Sequence, residues 1–117
     1  MKPVDPRPAA SIALVRPGVA EPLDVYMIRR HERMRFLGGY YAFPGGKVDV
    51  ADAAPEALAR VQGLTPETAE ERLQNREGLP SLAFWVAAVR ELFEETGILM
   101  ACDAGGRPID QGDSSVE

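Results

Sequence analysis

Cysteine is nearly absent from this chain. Among 117 residues only Cys102 is present, so no intramolecular disulfide can form and the expectation is a reducing, cytoplasmic setting. Histidine is equally scarce, with His31 alone, and one cysteine plus one histidine cannot make a structural zinc site from those ligand types. Basic charge is in deficit: 13 Lys and Arg against 18 Asp and Glu give a formal net charge of −5. That balance argues against a sequence-independent nucleic-acid binder, which needs many cations at phosphates, so any anion site must be local. Long apolar runs are also missing. The longest, Leu82 to Val89, is eight residues, against the roughly 18–20 that a membrane-spanning helix needs. The proline-rich start, Met1 to Ala10, has no apolar signal-peptide core. The prediction is a soluble protein with neither nucleic acid nor membrane as partner. Its length allows one small domain, since domains usually run about 100–150 residues.

Prolines at positions 3, 6 and 8 predict an extended N-terminal arm over residues 1–10, with the domain proper at 11–102 and a polar tail at 103–117. Ser11 to Val15 reads as a short buried strand ended by Pro17-Gly18, and Asp24 to Arg29 as a second, paired with it as a hairpin across Arg16 to Leu23. Tyr40 to Phe43 fits a third strand. Pro44-Gly45 matches a type II turn, with proline at the first central position and glycine supplying a positive φ at the second. Two short helices are expected at Pro55–Val61 and Pro66–Leu73, the second capped by Thr65. The main helix is predicted from Ser81, as N-cap, to Thr96, with Gly97 as the left-handed closing residue and Leu82, Val86, Val89 and Phe93 on its core face. Trp85 is assigned to the core, Ile98 to Cys102 to the start of another strand, and Cys102 to a packed thiol.

The chemistry is concentrated in Arg90-Glu-Leu-Phe-Glu-Glu-Thr-Gly-Ile98. Glu91, Glu94 and Glu95 lie at i, i+3 and i+4, so three carboxylates share one helix face. As architecture alone this is unfavourable. Like charges at that spacing repel, and the last turn of a helix disfavours anions by roughly 0.3–1 kcal/mol each. Arg90 can pair with Glu94 at i+4, which relieves only part of the repulsion. A hard divalent ion, Mg²⁺ or Mn²⁺, would relieve the rest. The plain alternative is a solvated acidic face. Arg, three Glu and Gly at these five positions should occur by chance on the order of once in a million windows, so coincidence explains them poorly.

The segment resembles the catalytic helix of Nudix hydrolases, whose signature reads G-x5-E-x7-R-E-U-x-E-E-x-G-U, with U a bulky apolar residue. Arg90 to Ile98 fills every position of its second half, and Gly46 matches its opening glycine. The middle departs. Asp52 stands where the signature has its first Glu, and 43 residues separate Gly46 from Arg90 where the signature has 13. A helical insertion of about residues 53–82 accounts for the excess, and the role of the first Glu is left unassigned at Asp52. Upstream, the chain is similar to the coenzyme A diphosphatases of this family, which show L-L-T-x-R-[SA]-x3-R-x3-G-x3-F-P-G-G. Arg30, Arg35, Gly39 and Phe43-Pro44-Gly45-Gly46 match in order. His31 replaces Ser or Ala, and Tyr26-Met27-Ile28 replaces Leu-Leu-Thr. From the residues alone, an arginine pair beside glycine-rich backbone offers bidentate donors and open N–H groups to phosphates. A Walker A loop is excluded, since Tyr41 and Val48 occupy the positions of its first glycine and its hydroxyl residue.

The resemblance implies an α+β fold, a Nudix-type α/β/α sandwich around a mixed sheet. It implies a hydrolase that cleaves a diphosphate linked to another moiety, with coenzyme A or an acyl-coenzyme A as substrate. Glu91 and Glu95 would be the main ligands of Mg²⁺ or Mn²⁺, Glu94 a further ligand or the base that activates water, and Arg90 the group that orients the carboxylates. Arg30, Arg35, Gly39, Gly45 and Gly46 would meet the substrate, a small nucleoside diphosphate derivative. The alternative is a non-catalytic Nudix module that binds or senses a nucleotide. Nudix folds continue after the catalytic helix with more strands and a second helix, whereas 19 residues follow Ile98 here. The expectation is the N-terminal part of such a domain, associating as a homo-oligomer or with a complementary C-terminal chain.

Overall fold

The computed structural model describes residues 7–29, 39–74 and 78–109. Six short strands come first: β1 (Ala9–Ser11), β2 (Val15–Pro17), β3 (Leu23–Val25), β4 (Ile28–Arg29), β5 (Tyr41–Ala42) and β6 (Gly45–Lys47). A 3-10 turn, Val50–Ala53, leads into helices α1 (Pro55–Leu58), α2 (Pro66–Leu73) and α3 (Leu82–Thr96). The described strands pair antiparallel as β1 with β6, β2 with β3, and β4 with β5. No helix among the described residues is long and apolar enough to cross a membrane.

The segment from Pro8 to Pro17 is a shared edge. Its first part faces β6, with Ala10 opposite Gly46, and the Val48 N–H donates to the Pro8 carbonyl at 2.9 Å. Its second part faces β3 in the predicted hairpin, with Arg16 opposite Asp24 and their side chains 3.3 Å apart. Between the two, Ile12 N–H donates to the Pro44 carbonyl and Tyr26 N–H to the Leu14 carbonyl, both at 2.9 Å, so backbone bonding continues across the gap. The strand expected over Ser11–Val15 is therefore divided between two partners. Ala9 and Ala10, read from sequence as part of the arm, lie in β1.

Gly45 corrects the turn expected at Pro44-Gly45. The described glycines with positive φ are Gly39, Gly63, Gly97 and Gly106, so Gly45 does not supply the left-handed conformation of a type II turn. It lies in β6, opposite Ser11. A Cβ at Gly45 would run into the Ala10 carbonyl oxygen and stand 2.8 Å from the Ser11 Cα. Glycine serves close approach of two backbones here rather than a turn.

The core lies where α3 crosses β1 and β6. Val48, Ala83 and Ala87 are buried together, flanked by Ala10, Ala53, Leu79 and Phe84. The face of α3 turned to the strands thus carries alanines, and the predicted stripe is rotated from the observed one. Leu82 is buried as expected, but Val86 and Val89 are only half-buried and Phe93 is 47% exposed, while Leu92 is buried instead. Small side chains let the helix pack close to glycine-bearing strands. Trp85, assigned to the core, is half-buried and lines an apolar groove with Ile12, Leu73, Phe84 and Val89.

The flanking signals are mixed. Thr65 caps α2 as expected, accepting from the Thr68 N–H at 3.1 Å, whereas α1 ends at Leu58, short of Val61. Ser81 does not cap α3. Its backbone is helical, with φ −58° and ψ −35°, and its buried hydroxyl donates to the Glu70 carboxylate, tying α2 to the start of α3. Gly97, at φ 78°, closes α3 as predicted, and the Thr96 hydroxyl donates to the Leu92 carbonyl at 2.6 Å. Residues 98–102 do not form the strand expected there; Cys102 makes a single bridge with Pro108 and is half-buried.

Gly45→Ala should lower stability by about 1–3 kcal/mol, the usual cost of forcing a methyl group into a packed site. Urea unfolding measures it, and an unchanged midpoint would show that β1 and β6 are not held at this separation.

Candidate active site

Pro44 is buried and β6 follows it, delivering Val48 to the core. The chain then turns at Asp49 into the 3-10 turn, where Asp52 N–H donates to the Asp49 carbonyl at 3.0 Å and Asp49 N–H donates to Asp52 Oδ2 at 2.8 Å. These bonds aim the Asp52 side chain inward, where the residue is only 2% exposed. Arg90, 38 residues further along the chain, meets it there.

Arg90 uses its guanidinium in two directions. Toward the 3-10 turn, Nε donates to Asp52 Oδ1 at 2.8 Å and Nη2 to Asp52 Oδ2 at 3.0 Å, a bidentate pair. Nη2 also donates to the Lys47 carbonyl at 3.0 Å and lies 3.3 Å from Asp49 Oδ2. Along α3, Nη1 donates to Glu91 Oε1 at 3.1 Å and to Glu94 Oε2 at 3.0 Å. The guanidinium therefore joins the 3-10 turn, the end of β6 and the last turns of α3. Burial pushes the Asp52 carboxyl up, but the Arg90 hydrogen bonds, the Asp49 N–H and the Arg90 charge outweigh it and hold the group below the ordinary carboxylate range. Hydrogen bonding to Asp52 holds Arg90 above its ordinary value against the opposing effect of burial, with Glu94 and Glu91 adding to it.

The helix face that carries Ala83 and Ala87 continues, one turn on, into Glu91. Its side chain is 17% exposed and stands against Gly46 of β6, whereas the Glu94 side chain is 55% exposed and Glu95 is also on the surface. Among the described residues, no three of His, Cys, Asp and Glu converge on one point to form a ready-made metal cage. The predicted set Glu91, Glu94 and Glu95 shares the last turns of α3, with Arg90 bridging its first two members. One guanidinium nevertheless faces four carboxylates, Asp49, Asp52, Glu91 and Glu94, so the cluster keeps a negative excess of hard oxygen donors. That donor chemistry fits Mg²⁺ or Mn²⁺.

Gly39, at φ 82°, accepts from Arg29 Nε at 3.4 Å through its carbonyl. Gly45 and Gly46 lie side by side in β6, Gly46 against the Glu91 carboxylate and Gly45 against Ala10 and Ser11. Arg30 and Arg35 lie outside the described residues. Asp52, which the sequence alone gives no role, is the buried partner of Arg90. Its signal was positional, six residues after Gly46 where the signature has Glu.

The chain is 30% identical over 115 residues to the acyl-coenzyme A diphosphatase NUDT19 of Homo sapiens, a match covering 80% of this chain and 31% of that protein. It is 33% identical over 129 residues to the acyl-coenzyme A diphosphatase NUDT19 of Gallus gallus, covering 87% of this chain and 34% of the relative. The crystal structure of a NUDIX hydrolase from Alicyclobacillus acidocaldarius superposes with a TM-score of 0.62 at 31% identity, covering 91% of this chain and 44% of that one. The chain thus spans about a third of the length of the two diphosphatases and under half of the solved chain. No protein-family model matches it.

The Arg90–Asp52 pair makes a signed prediction. Its folded Asp52 is more acidic than the unfolded residue at about 3.9, so the stabilisation is complete above that pH and is lost as pH falls through the folded-state value. Asp52→Asn should remove this part of the acid sensitivity and lower stability at neutral pH by about 1.5–3 kcal/mol, the usual worth of hydrogen bonds to a charged group. Urea unfolding across the acid range measures both effects, and unchanged stability at neutral pH would contradict the pairing.

Proposed function

We propose that this chain, similar over most of its length to two acyl-coenzyme A diphosphatases and to a solved NUDIX hydrolase, is a metal-dependent hydrolase of the Nudix family that cleaves a diphosphate linked to another moiety, with coenzyme A or an acyl-coenzyme A as substrate. The observation that carries this reading is Arg90, anchored by Asp52 and holding Glu91 and Glu94 at fixed positions on α3. The names of the two diphosphatase relatives support the substrate class.

Glu91 and Glu95, one helical turn apart, would hold Mg²⁺ or Mn²⁺, which when bound neutralises diphosphate charge and acidifies a water. Arg90 keeps Glu91 and Glu94 from drifting under their mutual repulsion. Glu94, exposed and paired with Arg90, would take the proton from the attacking water or serve as a further metal ligand. The water oxygen bonds to one phosphorus as the P–O bond to the bridging oxygen breaks, and that oxygen leaves with the other phosphate. Arg30 and Arg35, with the backbone of Gly39, Gly45 and Gly46, are assigned to binding the diphosphate.

The test is mass-resolved product analysis after incubation with coenzyme A and Mg²⁺, alongside Glu95→Gln. The expected products are 4′-phosphopantetheine and adenosine 3′,5′-bisphosphate, with Glu95→Gln slower on the order of 10²–10⁴-fold. Saturable coenzyme A binding with neither product would overturn the hydrolase reading in favour of a nucleotide-sensing module. Arg30→Ala should raise KM more than it lowers kcat, and an unchanged KM would remove Arg30 from the substrate site.

A further inference from the structure

We propose that Gly46 is a positioning residue: the absence of a side chain there seats the Glu91 carboxylate against β6, in the orientation in which Arg90 holds it. The effect on metal binding rests on the proposed role of Glu91 as a ligand.

Backbone conformation does not call for glycine at this position. Gly46 is not among the described glycines with positive φ, and it sits within a regular strand, opposite Ala10. Space does call for it. A Cβ at Gly46 would run into the Glu91 carboxyl carbon and lie 2.6 Å from each of its two oxygens, well inside van der Waals contact. The helix face explains why the fit is so close. Ala83 and Ala87 bring α3 near the strands, and Glu91 follows Ala87 by four residues on the same stripe. A long acidic side chain fits in that seam only where the residue beneath it has no side chain.

The neighbouring glycine gives the contrast. At Gly45 an added Cβ meets the backbone of Ala10 and Ser11, which can yield only if the strands part. At Gly46 it meets the far end of a flexible side chain, which can swing away and leave the strands in place. A side chain at the two adjacent glycines therefore acts on different parts of the molecule, at Gly45 on strand pairing and at Gly46 on the Glu91 carboxylate. A methyl group at position 46 would displace Glu91, weakening its 3.1 Å bond from Arg90 Nη1 and withdrawing the carboxylate from the metal.

The test is a cycle of Gly46→Ala, Glu91→Ala and the double variant in the full chain. Two readings are taken: the Glu91 side-chain carboxyl ¹³C shift without metal, and Mn²⁺ affinity by electron paramagnetic resonance. Gly46→Ala is expected to move the Glu91 signal and to weaken Mn²⁺ binding by about 10–100-fold, as loss of a ligand's supporting contact does. In the Glu91→Ala background, with the Glu91 carboxylate gone, it should change Mn²⁺ affinity less than twofold, the non-additivity expected of residues in contact. An unmoved Glu91 signal, or equal losses in both backgrounds, would overturn the proposal. If the signal moves but Glu91→Ala binds Mn²⁺ like the parent, the seating stands and the metal-ligand reading of Glu91 falls. If Gly46→Ala fails to fold, rescue in the double variant supports the steric seat, and failure there too overturns it.

Discussion

Arg90 ties together the 3-10 turn, the end of β6 and the last turns of α3. Two of its nitrogens engage both oxygens of the buried Asp52, and a third holds Glu91 and Glu94. A lysine could supply the charge but not the planar fork, because an ammonium cannot present parallel donors to one carboxylate while reaching two others. Three acidic residues in the last turns of a helix would otherwise repel one another and oppose the helix dipole. The guanidinium offsets that repulsion without cancelling it. One guanidinium against four carboxylates leaves the cluster with an excess of negative charge, so it is not a closed structural salt bridge.

This arrangement depends in turn on a seam of small residues. Ala83 and Ala87 on α3, with Gly45 and Gly46 on β6, bring the helix close enough for its charged end to reach the 3-10 turn. The same stripe that is apolar and buried at Ala83 and Ala87 becomes acidic at Glu91, so one helix face serves the core and then the site. Packing here sets the position of charge as much as it contributes stability.

What the sequence revealed follows the range of the interactions involved. The end of α3 at Gly97, the Thr65 cap and the Arg90–Glu94 pair depend on residues within one helical turn, and all are present. The Asp52–Arg90 pair spans 38 residues and follows from the tertiary fold; its position was visible in the signature, but its bidentate bond was not. Gly45 was misread because proline-glycine favours a turn locally, while the approach of β1, a non-local contact, decided its conformation. Ser81 illustrates the same competition: a good capping residue by type, it is claimed by Glu70 across the fold. The core stripe of α3 was displaced because alanine carries little hydrophobic weight in a pattern, yet close helix–strand packing favours it.

One rigid guanidinium organises the acidic end of α3, and the arginine side-chain Nε–H spectrum of the chain labelled with ¹⁵N tests this directly. Arg90 should give a distinct Nε–H signal, slow to exchange with water and as immobile as the helix backbone, that is lost when Asp52 is replaced by Asn. An Arg90 signal that exchanges and moves like those of exposed arginines would contradict it.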